Sequence, residues 1–306
     1  MTRIYYIDYR EQPNNYRSNG LLNRLFFCFK FVSIDSNKKV IYINKKYINQ
    51  KAYNKLRRYI ENYNFQQLSK NVVLAKDIQL KCSGEMLYVA REKKIMKAII
   101  CEILKYIEKV VEADFRNESV SILLCRDNNE NIVTDIAELF KGVNIVTTRI
   151  GNIRRMEKKI QRKSDIILSI TNNRRKAIKR AKLIINIDFD NNVLNEFIIN
   201  RNSIIINLNK DKLELKNSFQ GTIINMVEVD FINKYKEYID ESHYNVVDLY
   251  ESFLHNFNYK EAKEFAMNYK CSIKKLVGNR GIIGTEELKN NFTNSTIKLD
   301  KMEKKD

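Results

Sequence analysis

Short runs of β-branched residues, spaced by helix-length segments, dominate the middle of the chain. Val120–Cys125 (VSILLC), Asn144–Val146, Asp165–Ile170, Lys182–Ile187 and Ser203–Leu208 (SIIINL) are apolar without strict alternation. Between them lie Ile132–Lys141, Ile150–Lys163, Asn173–Ala181 and Val193–Ile199, and Thr222–Val227 adds a last strand. Apolar runs of strand length joined by helical connections predict a parallel sheet, with Ser203–Leu208 a buried strand. In Ile132–Lys141 the residues Ile132, Ile136 and Leu139–Phe140 share one helix face, and Gly142 stands at the C-cap position. The segments Ile150–Lys163 and Asn173–Ala181 read as two basic helices.

The flanking regions have a different rhythm. Arg3–Tyr9, Leu25–Ile34, Val40–Ile43 and Val72–Ala75 read as strands and Tyr53–Tyr63 as a helix, giving a small α+β domain over 1–91. Glu92–Ala113 carries Ile95, Ile99, Ile103, Ile107 and Val110 on one wide apolar stripe, which predicts a connecting helix within 92–117 packed on more than one side. The parallel α/β domain follows over 118–230. Ile232–Ile239, Val246–Phe257 and Lys260–Tyr269 read as helices of an extension over 231–289, and the polar stretch 290–306 as a flexible tail. No internal repeat stands out.

Charge sharpens this picture only where it is concentrated. The chain has 306 residues, 44% of them hydrophobic, and a formal net charge of +18. Abundant Lys, Asn, Ile and Tyr with a single Pro is what an AT-rich coding sequence yields, so the total says little. Its distribution says more. From Arg149 to Lys182, thirteen Lys or Arg face only Glu157 and Asp165, a net of +11 within 34 residues. A basic surface there points to a phosphate-bearing or nucleic-acid partner.

The five cysteines (Cys28, Cys82, Cys101, Cys125 and Cys271) are widely spaced and form no CxxC pair, so neither a zinc site nor a disulfide framework is implied. Reduced thiols and an N-terminus without an apolar signal segment imply the cytoplasm. No apolar run approaches the ~20 residues of a membrane span. His243 and His255 offer no triad or metal-ligand spacing, although His255 follows Glu251 at an ion-pairing interval. Leu276–Glu287 echoes a calcium loop, but Leu276, Gly278 and Arg280 stand where oxygen ligands belong, so it reads as a Gly-rich turn before a short helix.

Within 119–208 the strands SVSILLC, NIVTTR, SDIILSIT and LIINID resemble, in order and spacing, the nucleotide-binding domain of two-domain dehydrogenases of the shikimate and methylene-tetrahydrofolate types. The resemblance covers about a third of the chain and implies a Rossmann-like parallel sheet. Over its whole length the chain also resembles proteins of clostridial-type bacteria. One departure is central. Dinucleotide-binding domains carry Gly-x-Gly-x-x-Gly after the first strand, where backbone must approach a pyrophosphate. Here Cys125-Arg126-Asp127-Asn128-Asn129-Glu130-Asn131 has no glycine, and Asp127 and Glu130 bring negative charge to a helix start.

Two clusters remain as candidate phosphate sites. In shikimate dehydrogenases an Arg after the second strand grips the 2′-phosphate of NADP. Arg149 stands at the matching place, with Arg154 and Arg155 on the next helix, and the guanidinium fork suits phosphate. After the third strand, Thr171-Asn172-Asn173-Arg174-Arg175-Lys176 offers a cap, free N–H groups and cations for an anion. Asp188 ends the fourth strand, placed to meet a ribose or to cap a turn. The residues thus predict a binding or regulatory protein for a phosphorylated small molecule or nucleotide. An NADP-dependent oxidoreductase with an atypical phosphate loop, and a nucleic-acid binder using 150–163 and 173–181, are the alternatives. The substrate-binding Ser pair and Lys–Asp dyad of shikimate dehydrogenase have no counterpart in 1–117.

Overall fold

The computed structural model describes residues 4–9, 30–33, 38–43, 47–49, 72–74, 79–81, 93–161, 166–215, 218–232, 247, 250–251, 254 and 257–303. The chain divides into two compact units: Met1–Ile95 with Lys234–Phe257, and Met96–Asn233 with Asn258–Asp306. In the first unit, β1 (Ile4–Tyr9), β2 (Lys30–Ser33), β3 (Lys38–Ile43) and β5 (Val72–Leu74) form a mixed sheet of order β2-β3-β1-β5. Strands β4 (Tyr47–Asn49) and β6 (Gln79–Lys81) pair in parallel. The predicted helix Tyr53–Tyr63, residues 233–239 of the predicted helix Ile232–Ile239, and both histidines lie outside the described residues.

Helix α1 (Lys94–Ala98) begins in this unit, and its first amides are capped from within it. The buried Glu251 carboxylate accepts the backbone N–H of Lys94 at 2.9 Å and of Ile95 at 2.8 Å. A carboxylate at a helix start satisfies otherwise orphaned donors, and the helix dipole favours its charge. The long helix read from Glu92 to Ala113 is therefore two: α1, then α2 (Ile100–Val111), broken at Ile99 and ended by Glu112 in the left-handed region. Ile100, Ile103, Leu104 and Ile107 of α2 are fully buried.

The second unit is built on six parallel strands: β7 (Ser119–Leu123), β8 (Gly142–Val146), β9 (Ile167–Thr171), β10 (Leu183–Asn186), β11 (Ile204–Asn207) and β12 (Thr222–Ile224). Their order is β12-β11-β10-β7-β8-β9. The chain enters at the centre, winds outward through β8 and β9, then returns to the other side of β7. This doubly wound order is the Rossmann-like α/β fold. Strands β10 and β11 are buried at every position, so these apolar runs show no alternation. Each fully buried Ile contributes roughly 1.5–3 kcal/mol of transfer free energy.

Helix α3 (Glu130–Ala137) connects β7 to β8 and α4 (Ile150–Gln161) connects β8 to β9. Gly142 is not a helix cap. It is the first residue of β8, buried where an added Cβ would lie 2.9 Å from Ser119 Oγ.

The connection from β9 to β10 corrects the expected helix at Asn173–Ala181: residues 174–180 are consecutive turns. Helical hydrogen bonding is diverted here. The carbonyl of Arg174 accepts from the amide of Ile198 at 2.9 Å, and that of Ile178 is shared between the amides of Asn200 at 3.2 Å and Ala181 at 3.3 Å. Ile178 alone is fully buried, and it anchors the crossover in the core beside Val146, Ile184 and Phe189. A short helix α5 (Asn191–Leu194), capped by Asp190, precedes β11.

After β12 the chain forms an antiparallel sheet, and of the three helices expected beyond it Lys260–Tyr269 is present nearly as read. Strand β13 (Met226–Phe231) pairs with β14 (Cys271–Gly278), which turns back into β15 (Gly281–Ile282). The register shifts between Glu228 and Val229, opposite Lys275 and Ile273, so a bulge at Lys274 breaks the alternation of SIKKLVG that reveals a strand. The echo of a calcium loop is the β14–β15 hairpin, with Gly281 at φ +113°. Helix α6 (Tyr259–Asn268), with a capping box of Asn258 and Glu261, lies between β13 and β14.

The last helix, α7 (Thr285–Glu303), is longer than the short helix expected after the Gly-rich turn. Phe292 is buried beside Phe115, and Asn291 donates to Thr222 Oγ1 at 2.7 Å. None of the described helices is long and apolar enough to cross a membrane.

Candidate functional site

In an open α/β sheet, ligands sit at the carboxyl ends of the strands where the strand order reverses. Here the reversal falls between β7 and β10. At that point the backbone amides that follow β7 are not free. The Asp188 carboxylate, two residues beyond β10, accepts the N–H of Cys125 at 2.6 Å and of Arg126 at 2.9 Å, one on each oxygen. Two adjacent amides donating to one oxyanion are what a pyrophosphate would need from this loop. The protein supplies that oxyanion itself. Burial pushes the Asp188 carboxyl above the usual range, while the Cys125 and Arg126 amides, with the charges of Arg126 and Lys97, pull the other way.

Beyond the switch point, on the β10 side, an amide ladder closes the strand ends. Asn186 Nδ2 donates to Asn207 Oδ1 at 3.0 Å, Asn207 Nδ2 to Asn225 Oδ1 at 2.8 Å, and Asn225 Nδ2 to Asn279 Oδ1 at 2.6 Å. Asn186 and Asn207 end β10 and β11, Asn225 directly follows β12, and all three are buried. Their remaining groups fasten the loops above: Asn186 holds Phe189 by both its amide and its carbonyl, Asn207 donates to the carbonyl of Asp211, and Asn225 accepts from Leu213. This half of the rim is filled by the chain's own backbone.

The other half, over β8 and β9, is where the cationic candidates gather. Thr147 donates its amide to the carbonyl of Thr171 at 2.9 Å, and its hydroxyl accepts the amide of Arg149 at 3.0 Å. Cys125 Sγ and Thr148 Oγ1 lie 3.2 Å apart, joining this rim to the end of β7. Arg149 is exposed at the end of β8, and Arg154 is exposed on the second turn of α4. Arg155 follows it in the helix backbone; its side chain lies outside the described residues.

Thr171, half-buried, ends β9, and Asn172, Asn173, Arg174 and Arg175 continue the rim, exposed. Three amides there are already taken: Thr171 Oγ1 accepts from Asn173, and Asn173 Oδ1 accepts from Arg175 at 3.0 Å and from Lys176 at 3.1 Å. Arg174 pairs with Glu196 at 2.8 Å, both ends exposed. Arg149, Thr171, Asn172 and Arg175 thus share one open rim, whereas Asp188 faces inward at the switch point.

A separate ionisable group lies along α3, away from the strand ends. Asp135 Oδ2 accepts from Tyr259 Oη at 2.5 Å and from Lys263 Nζ at 2.6 Å. Burial, then the hydrogen bond to Asp135, pushes the Tyr259 phenol well above its usual range, so the phenol stays a donor. The trio braces α6 against α3.

Sequence reasoning missed the ladder and the partners of Asp188. A signal was present: Ile184-Ile185-Asn186, Ile205-Ile206-Asn207 and Ile223-Ile224-Asn225 repeat the same three residues. Strands in register place such repeats side by side.

The class defined by strand order is a Rossmann-like α/β domain. No family model matches the chain, and no curated protein matches it. Among solved structures, shikimate 5-dehydrogenase from Listeria monocytogenes, in complex with shikimate and NAD, aligns over 56% of this chain and 68% of its own at 10% identity, with a TM-score of 0.26. L-tryptophan dehydrogenase from Nostoc punctiforme aligns over 84% of this chain and 76% of its own at 10% identity, with a TM-score of 0.32. The fold class rests on the strand order, not on these superpositions.

Proposed function

We propose that the β7–β12 domain is a binding or regulatory module that recognises a phosphate-bearing small molecule or nucleotide on the β8–β9 rim. In this reading Arg149, Arg154, Arg155 and Arg175 supply charge and bidentate donors, with Thr171 and Asn172 as polar contacts. Arg174 joins by exchanging its exposed partner Glu196 for the ligand, a weak pair to break. The observation that supports a binding module over a dinucleotide oxidoreductase is Asp188, whose carboxylate takes the two amides that a pyrophosphate would use.

A thermal-shift screen of the whole chain against nucleotides and phosphorylated metabolites tests this. A ligand at 100 times its Kd adds roughly 2.7 kcal/mol of stability. Stabilisation lost in Arg149→Ala with Arg175→Ala supports the proposal, and silence across the panel overturns it. Salt-tolerant stabilisation by NADP over NAD favours instead an oxidoreductase with an atypical loop. DNA or RNA affinity that falls about linearly with log salt, with a slope of ~0.9 per neutralised phosphate, favours a nucleic-acid surface.

A further inference from the structure

Strand β9 is the outer strand of the six-stranded sheet, and among the described residues no strand lies beyond it. Its hydrogen-bond parity is fixed by two contacts at its ends. The Ile167 amide donates to the carbonyl of Lys141, and the Thr171 carbonyl accepts from Thr147, both on the β8 side. In a parallel ladder the residues that pair inward alternate with residues whose N–H and C=O face away. Ile167, Ser169 and Thr171 therefore pair with β8, and Leu168 and Ile170 turn both backbone groups outward.

An edge of this kind is normally blunted by a charge, a proline, a bulge or a covering element. Strand β9 reads ILSIT, with no charge and no proline, and its register with β8 is unbroken. Ile167 is 67% exposed, an uncommon state for isoleucine in a strand. The crossover on the Ile167 face does not cover it. Ser169 Oγ donates to Asn144 Oδ1 at 3.0 Å and Asn144 Nδ2 to the carbonyl of Ala177 at 2.9 Å, so residues 174–180 hold the sheet face inboard of the edge.

Charge selects the occupant. The crossover presents exposed Arg175 and Lys176 within five residues of the end of β9, and α4, the connection running into β9, presents exposed Arg154 and Lys158. Edge-to-edge pairing with a second copy would bring two +11 windows together. The same field attracts an extended chain that carries carboxylates.

We infer that the outer edge of β9 is a docking strand for an acidic, extended segment of a partner protein, which adds to the sheet by β-strand addition. Its backbone bonds to the outward N–H and C=O groups of Leu168 and Ile170, an apolar side chain covers Ile167, and carboxylates on either side face the two basic flanks. Main-chain bonds give affinity in this mode, and the alternating side chains give specificity. This surface is separate from the β8–β9 rim of carboxyl ends, so either assignment can fail alone.

The test uses a fluorescein-labelled decapeptide of alternating valine and aspartate, with decaglutamate and a single-stranded oligonucleotide of equal charge as comparison probes. The whole chain is expected to bind the alternating peptide at least tenfold more tightly than decaglutamate. Hydrogen exchange of the Leu168 and Ile170 amides is expected to slow when it binds. Ile170→Pro removes one outward N–H at an edge position, where proline is tolerated, and is expected to weaken binding tenfold or more. If that variant does not fold, Ile167→Asp, on an exposed side chain, carries the same expectation through repulsion. Arg149→Ala leaves this binding within twofold. Equal affinity for all three probes, or peptide binding without protection of the two amides, overturns the inference. Displacement of the peptide by the oligonucleotide at equal concentration overturns it in favour of a nucleic-acid surface.

Discussion

At Asp188 burial works against the charged carboxylate while two backbone amides work for it, and removing the side chain separates these effects. In Asp188→Ala the amides of Cys125 and Arg126 lose their acceptor. Such a loss costs about 1–3 kcal/mol, and the vacated position accepts another oxyanion. Asp188→Ala is therefore expected to lower the urea midpoint and to gain stabilisation by inorganic pyrophosphate. That gain should persist in an Arg149→Ala background, because it arises at the switch point and not on the rim. A double variant indifferent to pyrophosphate would show that Asp188 is only a turn cap.

Asn207 gives a second prediction at this scale. It donates to Asn225 and Asp211 and accepts from Asn186, all at a fully buried position. Asn207→Leu keeps the volume but strands those partners, and a cost of about 3 kcal/mol or more is expected in denaturant unfolding at constant m. Nothing in the residue type foretold this, since asparagine is most often a turn or surface residue. The cue was positional: the Ile-Ile-Asn triplet recurs at the ends of three strands.

At the scale of elements, strands were more legible than connections. Parallel strands buried on both faces announce themselves as unbroken apolar runs, and β7, β8, β10 and β11 lie where those runs lie. The crossover after β9 did not, because its turns depend on carbonyls drawn toward Ile198 and Asn200, residues far along the chain. There, Asn173→Ala removes the acceptor for the amides of Arg175 and Lys176. A loss of about 1 kcal/mol is expected, with faster hydrogen exchange at those two amides. Unchanged exchange would mean that the tertiary bonds alone hold the turns.

Helix α2 carries a pH prediction. Burial, then Asp135, pushes the Cys101 thiol from 9.0 up to about 11. The unfolded chain releases this proton first, so the contribution is intact below pH 9 and is lost as pH rises toward about 11. In Cys101→Ala the fall in unfolding free energy between those pH values should be smaller than in the parent chain. An identical pH profile would place the alkaline loss in other groups.

At the scale of the whole molecule, the question is whether the +18 acts as a sum or as a place. If the sum governs, any two exposed cations are equivalent. If the +11 window governs, removing Arg174 and Arg175 shifts elution from a heparin column to lower salt by clearly more than removing Lys210 and Lys274. All four are exposed side chains, so neither pair carries the fold. Equal shifts would return the basic surface to a matter of composition.

The sequence by itself determined the class: the periodicity of the central runs required a parallel sheet with crossovers, and the missing glycines denied that sheet an ordinary dinucleotide loop. Both are local properties, of side-chain pattern and of backbone permissiveness. Tertiary structure decided what fills the loop's place. The contact between Asp188 and the amides after β7 spans more than 60 residues and exists only because β10 lies against β7. It decided the C-terminal sheet too, since the bulge at Lys274 that hides β14 in the sequence has meaning only opposite β13.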